Sequence, residues 1–228
     1  MRGPIAIPPG GGEIIGDSAD RRVEILSEDD SLHATWSRFG AGRNGADLHV
    51  HRHHSDLFYV LDGELTVKLG ADGDEVTVRA GSVARVPPLV VHGFRNASDA
   101  DVRYLNFHVP GCGFADYMRG LRDKRRVAFD QHEPPADGGR SPGEAQVADR
   151  AAVEAISVVE RTDSETAHVH ERAVESLYVL EGAVDITVRD RELRAEPGTW
   201  LQVPPGFEHA VVADGRYLSI HTPNEGSG

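Results

Sequence analysis

Twelve histidines stand in this 228-residue chain, and six of them fall into two groups with the same internal order. His49 and His51 are followed by Asp56 and then His92; His168 and His170 are followed by Glu175 and then His209. In an extended strand residues i and i+2 share a face, so each His-x-His pair can offer two imidazoles to one ion. The carboxylate and the third imidazole complete a set of three nitrogens and one oxygen. Such a set suits Mn, Fe, Co, Ni or Zn and suits Mg or Ca poorly, because those ions prefer oxygen shells. An octahedral ion held by four protein ligands keeps two adjacent positions for a bidentate substrate, or for substrate and O2. A lone His-x-His is more often a pair of ordinary strand residues, but two copies of four ligand types in matching order point to metal. Up to two divalent transition-metal ions per chain are therefore expected. Of the remaining histidines, His53 and His54 have no counterpart in the second group and read as rim residues. His108 and His221 recur, and read equally well as neighbours of the ligands or as core.

The elements that must position these residues also recur. Tyr59-Val60-Leu61-Asp62-Gly63 returns as Tyr178-Val179-Leu180-Glu181-Gly182, at the same offset of 119 residues as the His-x-His pairs. Val86-Pro87-Pro88 returns as Val203-Pro204-Pro205, and Tyr104 to Pro110 as Tyr217 to Pro223, at offsets of 117 and 113. A drift confined to short loop changes, such as the longer hairpin Gly70 to Asp74 of the first copy, marks a tandem duplication. Each copy reads as short antiparallel strands. Leu57 to Leu61 and Leu177 to Leu180 are apolar and run to a glycine. Glu64 to Leu69 and Val184 to Arg189 alternate polar with apolar, as half-buried strands do. The fold class implied is all-β, two tandem barrels. Phe114, Tyr117, Met118 and Leu121 recur at helical spacing and predict one helix over Phe114 to Arg126, its apolar stripe packing on a core. Glu133 to Gly143, rich in Pro and Gly, reads as a linker. The boundaries drawn from these signals are residues 1–128 for the first barrel with its helix, 129–148 for the linker and 149–228 for the second barrel. Glu225-Gly226-Ser227-Gly228 reads as a small polar tail.

Composition narrows the partners. The formal net charge is −13 with no basic stripe beyond Arg122 to Arg126, a run that reads as a solvated helix face, so nucleic acid is not expected. No apolar run approaches the ~20 residues needed to cross a bilayer, and since Met1 to Gly16 lack a basic start followed by an apolar core, a secretion signal is not expected. Cys112 is the one cysteine and has no partner for a disulfide in the chain, as expected of a cytoplasmic protein. A small-molecule substrate is the expected partner, with a homodimer open.

These residues resemble the two signature motifs of the cupin superfamily, Gly-x5-His-x-His-x(3,4)-Glu-x6-Gly and Gly-x5-Pro-x-Gly-x2-His-x3-Asn. His168, His170, Glu175 and Gly182 match the first motif, and Gly198, Pro204, Gly206 and His209 the second, with Ala213 at the asparagine position. In the first copy His49, His51 and Gly63 match with Asp56 for Glu, and Gly81, Pro87, His92 and Asn96 match with Leu89 for Gly. The leading glycine is Arg43 in one copy and Thr162 in the other. The resemblance implies two jelly-roll barrels in tandem, a bicupin most similar to the quercetin dioxygenase-like ones, each with a metal near its mouth. It does not imply one reaction. Asp56 is a methylene shorter than Glu175, and Leu89 replaces the conformational freedom of Gly206, so the second site is the more standard and the first either specialised or weaker. Three functions stay open. The first is a dioxygenase-type oxidoreductase acting on an enol, catechol or diketone. The second is a metal-dependent isomerase, decarboxylase or hydrolase without O2, and the third a small-molecule binder without turnover. Glu175 or Asp56 would double as proton acceptor. Phe58, Leu89, Phe94 and Phe107 in the first copy, with Leu177, Trp200 and Phe207 in the second, are the candidate pocket walls.

Overall fold

The computed structural model describes residues 3–153 and 155–223; the polar tail Glu225 to Gly228 lies outside them. The chain forms two compact units. One is Glu13–Asp149; the other joins Met1–Gly12 to Arg150–Gly228. The first strand of the chain, β1 (Ile5–Ile7), thus belongs with the second half of the sequence.

In Glu13–Asp149 the strands are β2 (Glu13–Ser18), β3 (Arg21–Asp29), β4 (Leu32–Phe39), β5 (Ser55–Asp62), β6 (Glu64–Leu69), β7 (Asp74–Arg79), β8 (Val83–Val86), β9 (His92–Arg95) and β10 (Val102–Val109). The helix α1 (Phe114–Arg122) follows, and β11 (Gln146–Ala148) closes the unit. A large antiparallel sheet has the order β11-β8-β5-β10-β4-β3-β2, and a small one the order β7-β6-β9. Phe58, Val60 and Tyr104 from the large sheet meet Leu65, Val67 and Val78 from the small one in a single apolar core. The segment read as a linker is partly built in. β11 extends the edge beside β8, and Val90 bridges to Gly139.

The helix is shorter than its apolar spacing suggested. Lys124 has φ 54°, a left-handed conformation that ends a helix, and the Arg125 N–H turns back to the Gly120 carbonyl. Phe114, Ala115 and Met118 are buried while Leu121 is exposed. Arg119 and Arg122 both pair with Glu13.

The other unit holds β1, β12 (Ala151–Val153), β13 (Ile156–Arg161), β14 (Glu165–His168), β15 (Val174–Val188), β16 (Arg191–Ala195), β17 (Trp200–Val203) and β18 (His209–Thr222) in one antiparallel sheet. Its main order is β1-β17-β15-β18-β13-β12, with β14 on β18 and β16 on β15. Where the sequence suggested two strands, β15 runs unbroken for 15 residues and bends at Gly182, which faces Gly215. A Cβ on Gly182 would lie 2.1 Å from the Asp214 carbonyl oxygen and one on Gly215 2.0 Å from that of Glu181. Only glycine fits this bend. In the first copy the same stretch splits into β5 and β6, and a loop separates β9 from β10. Buried Asn96 holds that loop by donating to the carbonyls of Phe39, Gly40 and Ala100.

Candidate metal centres and cavity

His49 and His51 lie just before β5, Asp56 near its start and His92 at the start of β9, so three segments converge on one point. One ligand atom from each of His49, His51, Asp56 and His92 lies within 4.8 Å of all the others, and the same is true of His168, His170, Glu175 and His209. Asp56 therefore reaches its histidines despite its shorter side chain. Its Oδ2 is 3.4 Å from Nε2 of His92 and 3.8 Å from Nε2 of His51.

Backbone carbonyls set the histidine rings. His49 Nδ1 meets the Asp47 carbonyl at 2.7 Å, His92 Nδ1 that of Val90 at 2.9 Å, and His51 Nδ1 that of Asp130. In the second group His168 Nδ1 meets Thr166 at 2.7 Å and His209 Nδ1 meets Phe207 at 2.9 Å. A ring that donates from Nδ1 turns the lone pair of Nε2 toward the centre of the group, the arrangement that metal-bound histidines adopt. Nε2 of His49 and Nε2 of His51 then face each other at 3.2 Å, two acceptors with nothing to share. Nε2 of His92 is buried and makes no hydrogen bond. Such orphaned acceptors cost free energy unless something binds them. Both groups fit a divalent transition metal.

The surroundings differ. No ligand of the first group is more than 5% exposed, whereas the His168 and His170 side chains of the second are 27% and 17% exposed. Burial, helped by the neighbouring His92 ring, holds His49 down to about 3, so it is neutral and ready to bind. Burial opposes ionisation of Asp56, but His108, His51 and His92 outweigh it and hold the carboxyl well below its ordinary value. In the second group the carboxylate of Glu175 raises His168 to about 9 against the effect of burial. Burial likewise works against ionised Glu175, and His168, His170, His209 and His221 overcome it. His209 Nε2 sits 2.5 Å from Glu175.

Behind the first group runs a network that its sequence pattern did not reveal. Asn106 Nδ2 donates to Asp56 Oδ1. His108 links Asn106 Oδ1 at 3.1 Å to His54 at 3.0 Å, and His54 Nδ1 meets Asp130 at 3.0 Å. Asp130 also accepts the backbone N–H groups of Arg52 and His53. His54 is thus not a rim residue: it is buried between His51 and His108. Its second-copy counterpart is Ala173, and Asn106 becomes Ser219, so the network belongs to the first copy. The absence of His54 from the repeat was the signal available in the sequence, and Asp130 gave none.

The first group opens on a cavity of about 620 Å³ whose wall includes His49, His51 and Asp56. Phe94, Phe114, Tyr117 and Phe129 form an apolar side; Arg21, Thr35, Ser37 and Asn106 form a polar one. A cavity of about 500 Å³ in the other unit, walled by Ile5, Ile186, Leu201 and Phe207 among others, includes none of the second group's ligands. Beside that group Arg161 lies 3.3 Å from Asp163 and 3.5 Å from Glu165, and the Tyr217 hydroxyl donates to Glu165 at 3.1 Å.

Of the expected wall residues, Phe94 lines the first cavity and Phe207 the second. Five stand elsewhere. Phe58 and Leu177 lie on the inner face but are packed into the cores. Phe107 and Trp200 are buried on strand faces opposite to those of Asn106 and Leu201, as alternation along a strand demands. Leu89 is 39% exposed and takes φ 69°. Its N–H donates to the His51 carbonyl at 2.7 Å, as Gly206, with φ 79°, does to His170 at 2.9 Å. The turn therefore keeps its shape without glycine, and the leucine side chain points away from the cavity.

The cupin domain model, Cupin_2, matches residues 35–108 and again 156–221. The chain belongs to the cupin family. Solved structures agree on the fold of this bicupin at low sequence identity. Protein Ylba from E. coli aligns over 99% of this chain and 93% of its own, with a TM-score of 0.69 and 13% identity. Oxalate decarboxylase from Lactobacillus farciminis, in a formate complex, aligns over 100% and 88%, with a TM-score of 0.66 and 11% identity. A variant of the Bacillus subtilis oxalate decarboxylase aligns over 98% and 78%, at 0.65 and 13%. A search of curated proteins gave no match. Among the described residues no helix is long and apolar enough to cross a membrane.

Proposed function

We propose that this bicupin is a metal-dependent enzyme of the dioxygenase type, and that its chemistry is confined to the first barrel. The observation that carries this reading is the buried His49, His51, Asp56 and His92 group in contact with a cavity of about 620 Å³, a volume ordinary for a small-molecule site. His49, His51, Asp56 and His92 would hold a divalent ion there, and such an ion would supply Lewis-acid and redox chemistry toward a substrate oxygen and O2. The chain's own residues do the rest. The aromatic side holds a flat substrate and keeps water out, and Asn106 fixes Asp56 so that its other oxygen faces the ligands. A catechol, enol or β-diketone suits such a wall. In the overall reaction both atoms of O2 enter the product as a carbon–carbon bond of the substrate opens, and no external reductant is consumed.

A second reading, metal-dependent chemistry on a small acid without O2, has its support in the fold shared with oxalate decarboxylases. The two readings part in one experiment. The chain is stripped with a chelator, reloaded with Fe(II) or Mn(II), and given catechols, flavonols and β-diketones in an oxygen electrode. Substrate-dependent O2 uptake is the expected result. No uptake on any of them, with turnover of small acids under nitrogen, would replace the first reading by the second.

A further inference from the structure

The polar wall of the first cavity holds a positive charge that meets no carboxylate among the described residues. Arg21 opens β3 opposite Phe39, lines the cavity and stands 6.0 Å from the centre of the Phe39 ring. The arginines around it are paired. Arg22 meets Asp17 at 2.9 Å and Glu24 at 2.7 Å, Arg38 meets Asp101 at 3.1 Å, and Arg43, also in the cavity wall, meets Asp20 at 2.6 Å. Arg21 has no ion-pair partner among the described residues. The acidic residues in this wall are Asp56, held by the histidines, and Asp47 and Glu133, which are exposed. The second barrel shows the alternative, since Arg161 there lies against Asp163 and Glu165. A guanidinium left unpaired in a cavity is a ready partner for a planar anion, which it can grip with two parallel hydrogen bonds.

Register gives the distance this anion must span. Thr35 is opposite Asn106, which holds Asp56, while Phe39 is opposite Arg21. Those two levels of β4 are four residues apart, about 13 Å of strand, and the arginine side chain covers only part of it. Ser37 lies between them on the same face, and the aromatic side runs alongside. A two-carbon acid cannot touch both ends. Resting on the first-barrel reading above, we propose that Arg21 is the anchor for a carboxylate at the far end of the substrate. The substrate class is then a flat, partly aromatic acid whose oxygen donors lie several bonds from its carboxylate.

The test uses the full chain loaded with zinc, so that no turnover intervenes. The probes are 3-(3,4-dihydroxyphenyl)propanoate and its neutral amide, which share the catechol end and differ in charge at the other. Calorimetric titration is expected to show the acid binding at least about 10-fold more tightly than the amide. Arg21→Gln should remove that difference and leave the amide unchanged. Arg21→Lys should keep part of it, and Arg43→Gln all of it. Equal binding of acid and amide, or a preference that survives Arg21→Gln in a chain of unchanged metal content, overturns the anchor and leaves the first-barrel site standing. Binding of neither probe, with metal at the first site, overturns both.

Discussion

The first barrel buries its four candidate ligands, braces them from behind and opens on a cavity, while the second leaves two of its histidines partly in solvent and sets Arg161, Glu165 and Tyr217 beside them. The copies share ligand types, spacing and the turn before the third histidine. What separates them lies one layer out: Asn106, His54 and Asp130 in one, Ser219, Ala173 and the Arg161, Glu165 and Tyr217 group in the other. Duplicated ligands therefore do not make duplicated sites, because the work a site can do depends on what surrounds it.

The largest expected effect sets one barrel directly against the other. Replacing His92 with Ala should lower turnover more than about 100-fold, since it removes a ligand from the site next to the cavity. Glu175→Gln, in the second barrel, should leave turnover within about twofold, the scatter expected of an independent site. Steady-state rates on the reloaded variants decide, and a comparable loss in both would merge the two sites into one function. Next in size is the network behind the first site. Asp130→Ala should weaken metal binding there by about 10- to 100-fold and leave the second site untouched, as read by competition with a chelating dye.

The metal-free barrels should also respond to pH in opposite senses. His49, held near 3 by burial and by His92, takes up a proton more readily when unfolded. It favours the folded first barrel above its ordinary value of 6.5, and that contribution fades as pH falls toward 3. His168, raised to about 9 by Glu175, works the other way. Its contribution is complete below 6.5 and is lost as pH rises through 9. Trp36 and Trp200 report on the two units separately, so denaturation of Trp36→Phe and Trp200→Phe chains followed by fluorescence would show the opposed slopes or refute them. The smallest effect concerns the turn. Leu89→Gly relieves a left-handed leucine and should stabilise by about 0.5–1 kcal/mol, while Gly206→Leu should cost about 1–2 kcal/mol, both measurable as shifts in Tm.

Much of this was legible in the sequence because repetition made it so. His49, His51, Asp56 and His92 could be picked out against His168, His170, Glu175 and His209, and the β class followed from period-two runs. The residues that distinguish the sites were harder to see. Asp130 lies in a stretch with no periodicity and acts through its backbone carbonyl as much as its side chain. His54 looked superfluous because it was unrepeated, and for that same reason it belongs to the network particular to its barrel. Leu89 suggested a pocket wall by being apolar, but a turn held by its own N–H sends the side chain outward. The pairing of β1 with β17 could not be read at all, since three short residues, Ile5-Ala6-Ile7, carry no sign of a partner almost 200 positions away.

The claim that one barrel does the chemistry is tested most directly by electron paramagnetic resonance of the chain loaded with two Mn(II) ions. A small bidentate ligand such as acetylacetone should change one of the two Mn(II) signals, and that signal should be missing from His92→Ala and retained in Glu175→Gln. Perturbation of both signals, or only of the signal that Glu175→Gln removes, would contradict it.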